Sequence, residues 1–368
     1  MPKLLLLLIS LFAAGTVRAD ELSLITAFYT TIGEKHAEPI TAERLTVNGL
    51  QGLTAIDRDL LFADGREMVY LYHKRQQVDL WHKPENPDDI DAWAKITLEV
   101  TEAAVKNSPK AAERDFELIE KVMAAAAESL NDNSRYYSEL DETENDAPKP
   151  LRLFARRMIG DVLYIRIGSF NGATKQNVLS ALKDYPAAKG VILDLRGNRG
   201  GLLTAAIDVA GIFIDGGIIA SVKGRDNGAV KYYNADEETG FNLPVVILID
   251  GNTASSAEVV AAALSEQVQA KLVGTNSFGK GSIQEMYSFE NGGKLALTTA
   301  HFYTPSGQKI DKIGLIPDYC TFNADDNVPI DRASAFTNLR CERESRERNE
   351  ADIELALSLI HISEPTRH

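Results

Sequence analysis

The chain of 368 residues has few cysteines, few histidines and a deficit of positive charge. Its 39 lysines and arginines stand against 53 aspartates and glutamates, a net charge of −14. Nucleic acids and anionic membranes bind basic surfaces, so neither is an expected partner. The only two cysteines, Cys320 and Cys341, could form a disulfide in an oxidising compartment or stay as free buried thiols, and the sequence leaves both open.

A long hydrophobic run is also missing. The apolar stretch at residues 4–15 is shorter than the ~20 residues that span a bilayer. Lys3 before it and small residues up to Ala19 are typical of a signal peptide at residues 1–19. We therefore expect no membrane span and a periplasmic or secreted location.

The other end of the chain carries an unusual segment. The sequence LSLIHISEPTR matches the conceptual translation of a common sequencing adaptor, so we interpret residues 357–368 as an artefact. The natural sequence then departs from this one near Ala356. The alternative is a genuine amphipathic tail.

The pattern of the chain between these ends changes once. Residues 20–140 are mainly helical, and Ser108 before Pro109 predicts a helix N-terminus. Residues 141–160 begin with the acidic, proline-containing run DETENDAPKP and are predicted to be a linker. In residues 161–356 short β-rich runs alternate with helices, which predicts an α/β core with parallel strands.

The last β-rich runs of this core differ from the others. SIQEMYSF and KLALTTAHFYT flank an Asn-Gly-Gly turn, a pattern that predicts a β-hairpin extension. No internal repeat or low-complexity tract interrupts the chain.

Three loops follow predicted strands, where α/β folds place their sites. In the first, RGNRGG, a glycine pair precedes a helix and exposes N–H groups that suit an anion, although a plain helix-entry turn is the common alternative. In the second, Ser255 and Glu258 have the spacing of a capping box, and Ser255 is also a candidate nucleophile. The third, GTNSFGKG, resembles a phosphate-binding loop, but Gly281 lacks the hydroxyl and a strand follows, so nucleotide binding is rejected.

A serine nucleophile needs a base. His301 is the one histidine in the predicted core before the adaptor-like segment, and it has no acidic partner in a familiar triad order. Lys280 is the alternative base if burial keeps it neutral. Gln284 lies four residues further on, so on a strand it would share a face with Lys280 and could orient the amine without raising its pKa.

The series GVILDLRGNRGGLL, DGNTASSAEVVAAAL, FGKGSIQ, LTTAHFYTPSGQKI and GLIPD resembles the C-terminal processing peptidases, or tail-specific proteases. The resemblance implies a crotonase-like spiral core and serine endopeptidase activity through an acyl-enzyme, without a metal or cofactor. It assigns Ser255 as nucleophile, Lys280 as base and Gln284 as its positioning residue. It also implies an oxyanion hole formed by the backbone N–H groups of Gly201 and Ser256.

The chain departs from the family pattern in one important place. Only about 22 residues, Glu139 to Gly160, occupy the position where the family inserts a PDZ domain of ~90 residues. The resemblance implies a peptide or unfolded protein as substrate. Without the module, the enzyme is expected either to be constitutively competent or to depend on a separate adaptor. The alternative is a catalytically silent peptide- or hydrophobic-ligand-binding protein on the same fold.

Overall fold

The chain divides into two structural units, the first with residues 1–146 and 283–300, the second with residues 147–282 and 301–368. This computed structural model describes residues 20–139, 153–225, 230–236, 240–322, 341–345 and 352–363. The predicted signal peptide therefore lies outside the described residues. Within these ranges, no helix is both long enough and apolar enough to cross a membrane.

Helices dominate the first unit, as the sequence predicts. They are α1 (20–35), α2 (Ala42–Leu50), α3 (Leu53–Ile56), α4 (Ile90–Asn107), α5 (Pro109–Glu113) and α6 (Asp115–Glu128). Ser108 caps α5 through its hydroxyl, which accepts the Ala111 N–H at 3.2 Å. The helix predicted after this cap is broken at Arg114, which has non-helical backbone angles. Aromatic side chains fill the core, with Phe28, Tyr29 and Trp93 fully buried.

The first unit also contains a three-stranded antiparallel sheet that the helical pattern does not predict. Its strands are β1 (Leu60–Asp64), β2 (Met68–His73) and β3 (Gln76–His82). The prediction that residues 20–140 are mainly helical is therefore wrong for this stretch. Strand β4 (Arg135–Tyr137) follows α6.

The predicted β-hairpin is present as β12 (Ser282–Ser288) and β13 (Lys294–Tyr303). Most of it belongs to the first unit, where β13 pairs antiparallel with β4 and places Leu295 opposite Tyr136. Leu295 and Leu297 are fully buried in the core of that unit. The hairpin therefore shares a core with the helices rather than forming a separate extension.

The second unit is built on a six-stranded sheet in the order β14-β11-β10-β7-β6-β5. Strands β6 (Val162–Ile167), β7 (Gly190–Asp194), β10 (Val245–Ile249), β11 (Lys271–Gly274) and β14 (Tyr319–Cys320) run parallel. Strands β7 and β10 are buried along their whole length, which explains their unbroken apolar sequences. The predicted α/β core is confirmed.

The sheet begins inside the stretch that the sequence assigns to a linker. Strand β5 (Phe154–Ile159) pairs antiparallel with β6 along its full length. It lies at the sheet edge and exposes Arg156 and Arg157, a charged edge that discourages further pairing. The linker boundary at residue 160 is therefore wrong.

Among its described residues, the second unit also contains four helices and a second hairpin. The helices are α7 (Thr174–Asp184), α8 (Leu203–Ala210), α9 (Ser256–Val268) and α10 (Ile353–Ser363), and the hairpin strands are β8 (Gly217–Gly224) and β9 (Val230–Ala235). Leu357 and Ile362 of α10 are buried beside the sheet. The adaptor-like residues thus form part of this helix, and their origin stays a prediction. Cys320 and Cys341 are joined by a disulfide.

Candidate active site

The first loop, after β7, is shaped by the buried side chain of Asn198. Its amide donates to the Ile167 carbonyl at 2.9 Å and accepts the Gly200 N–H at 2.8 Å. Its own carbonyl accepts the Ala254 N–H at 2.9 Å. One residue therefore folds the first loop and ties it to the second.

The glycine pair of this loop is required by space as well as by backbone angle. Gly200 and Gly201 have φ values of 102° and 140°, which disfavour any side chain. A Cβ on Gly200 would lie 2.9 Å from the Ser255 Cβ, and one on Gly201 would lie 2.2 Å from the Phe170 carbonyl oxygen. The first loop thus packs directly against the candidate nucleophile.

The second loop, after β10, is held by Asp250 and Thr253. The Asp250 carboxylate accepts the N–H groups of Gly197 and Asn252 at 2.9 and 3.0 Å. The Thr253 hydroxyl donates to the Leu195 carbonyl at 3.0 Å. These bonds fix the turn that precedes α9, so the position of Ser255 is set by neighbouring strand ends.

Ser255 stands at the N-terminus of α9 in a strained conformation. Its φ is 58° and its ψ is −127°, a region that costs a non-glycine residue about 1–3 kcal/mol. Ser255 and Glu258 have the arrangement of a capping box, but the serine hydroxyl makes no capping hydrogen bond. Ser255 is partly exposed. A strained, accessible serine between a buried strand and a helix is the geometry of a nucleophile elbow.

The buried carboxylate of Glu258 joins the second loop to the third. Its Oε1 accepts the Ser277 hydroxyl at 2.5 Å and the Gly279 N–H at 2.7 Å. Its Oε2 accepts the N–H groups of Ser255 and Lys280, both at 2.9 Å. The backbones of the predicted nucleophile and base therefore meet at one oxygen atom. Burial raises the pKa of Glu258, and the four donated hydrogen bonds oppose that shift.

Lys280 lies in the third loop, before β12, and its side chain is partly buried. The Gly279 carbonyl accepts the Lys312 N–H at 2.8 Å. A Cβ on Gly281 would lie 2.3 Å from the Asp311 backbone nitrogen, so only glycine fits there. The glycines on both sides of Lys280 thus allow a neighbouring chain segment to hold the loop. The role of Lys280 as a base stays a prediction.

Gln284 lies on β12 in the part of the hairpin that belongs to the first unit. Its amide nitrogen donates to the Thr298 hydroxyl at 3.0 Å. Because β12 begins at Ser282, Lys280 precedes the strand and the same-face argument for the pair does not apply. The role of Gln284 stays a prediction.

The two N–H groups that the resemblance assigns to an oxyanion hole, those of Gly201 and Ser256, meet no acceptor among the described residues. The Phe170 N–H donates to the Gly200 carbonyl, and the Phe170 carbonyl accepts the Leu202 N–H. In this parallel bridge the N–H and carbonyl of Gly201 therefore face away from Phe170. Ser256 is the first residue of α9, where N–H groups are unpaired and favour an anion. Its hydroxyl donates to the Gly201 carbonyl at 3.3 Å, which links the two residues.

His301 has an acidic neighbour that the sequence order does not reveal. Its Nδ1 lies 3.7 Å from the Asp311 carboxylate, and both side chains are buried. The strand that carries it donates the Phe302 N–H to the Gly281 carbonyl at 2.7 Å. His301 is therefore the second base to consider after Lys280.

A short segment, residues 341–345, also holds the second and third loops and was not predicted. The Glu344 carbonyl accepts the Gly251 N–H at 2.6 Å and the Thr275 hydroxyl at 2.7 Å. The Arg343 guanidinium donates to the Ser277 carbonyl at 3.1 Å. The disulfide at Cys341 attaches this segment to the sheet. The cysteine pair was the one sequence signal that pointed to it.

Comparison with known proteins shows what this part of the chain is similar to. Residues 161–321 match the profile of Peptidase family S41. The carboxy-terminal-processing protease of Bartonella bacilliformis is 41% identical over 44% of this chain and 39% of its own length. The carboxy-terminal processing protease CtpA of Bacillus subtilis is 33% identical over 61% of this chain and 42% of its own. A solved photosystem II D1 C-terminal processing protease is 28% identical over 46% of this chain and 48% of its own, with a TM-score of 0.43.

The chain thus spans about two fifths of the length of these two curated relatives. The matched segment, residues 161–321, contains all three loops described above. Residues 161–321 thus form a domain that matches peptidase family S41 and is similar to the corresponding part of the carboxy-terminal processing proteases.

Proposed function

We propose that this chain is a secreted serine endopeptidase in which Ser255 attacks the peptide bond and Lys280 acts as its general base. The observation that carries the proposal is the Glu258 carboxylate, which holds the backbone N–H groups of both residues on one oxygen. Two features of Ser255 add support: its backbone is strained, and its hydroxyl is not used to cap the helix.

The proposed reaction begins with transfer of the Ser255 hydroxyl proton to the neutral Lys280 amine as the oxygen attacks the scissile carbonyl. The N–H groups of Gly201 and Ser256 would stabilise the oxyanion that forms. The tetrahedral intermediate then collapses, the C–N bond breaks, and the leaving amine takes the proton from Lys280. Water hydrolyses the acyl-enzyme by the same steps, with Lys280 again accepting and returning a proton.

The proposed substrate is an extended peptide or an unfolded protein. Main-chain hydrogen bonds to an added strand would select an extended backbone, which folded proteins rarely offer. Because residues Glu139 to Gly160 leave no room for a PDZ domain, we propose that a separate adaptor delivers substrates or that the enzyme works without one.

The test is cleavage of an unfolded, fluorescently labelled protein by four variants. Ser255→Ala, Lys280→Ala and Lys280→Arg should each lower kcat/KM by at least ~10³-fold, because arginine stays protonated and cannot act as base. Ser256→Ala is the matched control, since it keeps the backbone N–H and loses only the 3.3 Å bond to Gly201. It should retain activity within a few-fold.

Three results would contradict the proposal. Retention of more than a tenth of the activity in Ser255→Ala would exclude that serine as nucleophile. Full activity in Lys280→Arg would move the base elsewhere, with His301 the first candidate. Peptide binding without cleavage in the unmodified protein would favour a catalytically silent binding protein.

A further inference from the structure

A chain of hydrogen bonds in the first unit runs from Gln284 through Thr298 to Asp132. The Gln284 amide nitrogen donates to the Thr298 hydroxyl at 3.0 Å, and that hydroxyl donates its own proton to the Asp132 carbonyl at 2.7 Å. Thr298 is fully buried. These three residues come from β12, β13 and the turn before β4.

The direction of these bonds fixes which end of the Gln284 amide faces Thr298. Because the Thr298 proton is committed to the Asp132 carbonyl, the hydroxyl can only accept a hydrogen bond from the glutamine. The amide must therefore turn its NH₂ group towards Thr298, and its carbonyl oxygen lies on the other side. An amide in the opposite orientation would present a donor where a lysine amine needs an acceptor.

Thr298 itself is held by its backbone. Its N–H donates to the Ser134 hydroxyl at 3.0 Å, and its carbonyl accepts the Ala37 N–H at 2.9 Å. The side-chain hydroxyl therefore has little freedom to turn away from either partner. Three bonds from two separate turns keep this threonine in place.

The turn that supplies the Asp132 carbonyl is fixed by a buried ion pair. The Asp132 carboxylate lies 2.6 Å from His36 Nε2 and accepts the Ser134 N–H at 3.0 Å. His36 Nδ1 lies 2.6 Å from the Glu38 carbonyl. Both ring nitrogens thus face acceptors at short range, which favours the doubly protonated imidazolium.

We propose that Thr298 is a positioning residue that selects the orientation of the Gln284 amide, and that His36 and Asp132 hold Thr298 in the required geometry. The inference rests on the proposed function and on the role that the family resemblance implies for Gln284, that of orienting the Lys280 amine.

The test compares Thr298→Val with Thr298→Ser. Valine keeps the shape but removes the hydroxyl, so kcat should fall about 10- to 100-fold with KM unchanged within about twofold. Serine restores both hydrogen bonds and should keep kcat within a few-fold. In a Gln284→Ala background, Thr298→Val should cause no further loss, because the residue that it positions is already gone.

Asp132→Asn provides a second variant, which keeps the inference testable if Thr298→Val does not fold. It keeps the carbonyl that Thr298 uses and weakens only the ion pair with His36, and kcat should fall with KM unchanged. Near-ultraviolet circular dichroism of each variant checks that the native packing is present.

The outcomes separate this inference from the proposed function. Wild-type kcat in a folded Thr298→Val, or equal losses from that change with and without Gln284, would overturn the positioning role. Lys280→Ala is measured alongside. If it is inactive, the dyad stands whatever the Thr298 result, and if it is active, the proposed function itself fails.

Discussion

Replacing Glu258 by glutamine tests the feature that holds the candidate site together. All four partners of this carboxylate are donors: three backbone N–H groups and the Ser277 hydroxyl. A glutamine has one acceptor oxygen and one donor nitrogen. Whichever way its amide turns, the NH₂ group meets at least one backbone N–H that cannot become an acceptor.

The expected loss of stability is set by the less costly of the two orientations of the glutamine amide. With the amide nitrogen at the Oε1 position, the Ser277 hydroxyl can turn but the Gly279 N–H loses its partner. A lost bond to a charged group costs roughly 1.5–3 kcal/mol, and a buried N–H left unpaired adds about 1–3 kcal/mol. We expect Glu258→Gln to destabilise the fold by roughly 3–5 kcal/mol, a drop in Tm of the order of 10 °C.

The loss of activity in Glu258→Gln should be larger than its loss of stability explains. The third loop carries Lys280, and a shift of about 1 Å between reacting groups can cost about 100-fold in rate. Thermal unfolding and kcat should therefore be measured together, the latter well below the Tm of the variant.

Glu266→Gln is the matched control on the same helix. The exposed Glu266 carboxylate accepts the N–H and hydroxyl of Ser306, and a glutamine can satisfy both by donating to that hydroxyl. Its Tm and kcat should stay near wild type. If Glu258→Gln behaves like this control, the carboxylate does not hold the loops and the reasoning is wrong.

Two further predictions concern the glycine pair and the buried ion pair. Gly201→Ala should destabilise the fold by roughly 2–6 kcal/mol and abolish cleavage, because the added Cβ would lie 2.2 Å from the Phe170 carbonyl oxygen. Gly172→Ala is the control: the space around Gly172 is open, so neither Tm nor activity should change. Although burial lowers the pKa of His36 and raises that of Asp132, their hydrogen bonds outweigh it, so the pKa of His36 is raised above 6.5 and that of Asp132 is lowered below 3.8. The stabilisation from this ion pair is therefore lost as pH rises through the pKa of His36 in the folded protein, or falls through that of Asp132. The difference in urea midpoint between wild type and His36→Gln should be largest between pH 3.8 and 6.5. A difference independent of pH would contradict the ion pair.

The sequence predicted the parts of the fold that have local signals. The buried strands β7 and β10 are unbroken apolar runs, and the hairpin turn contains Asn291 followed by two glycines. The three loops can therefore be placed at strand ends from the sequence alone. Their assembly depends on Asn198 and Glu258, whose partners lie far away in the sequence.

The missed strands lack such signals. Between β2 and β3 the two-residue turn is formed by Lys74 and Arg75 at φ values of 50° and 65°, positions where Asn-Gly is the usual signature. Strand β5 exposes Arg156 and Arg157 at the sheet edge, and these charges interrupt its apolar pattern. In both places tertiary context overrides the local preference of the residues.

The capping box was the strongest alternative to catalysis for Ser255, and the structure shows why the two interpretations do not compete. A capping serine normally has an extended backbone, so that its hydroxyl reaches the N–H groups of the first turn. Ser255 instead has φ 58° and its hydroxyl makes no capping hydrogen bond, whereas the Glu258 carboxylate accepts the Ser255 N–H at 2.9 Å. The same carboxylate also binds the Lys280 N–H. A spacing that usually serves a helix end therefore positions two loops here, and it leaves the Ser255 hydroxyl available to react.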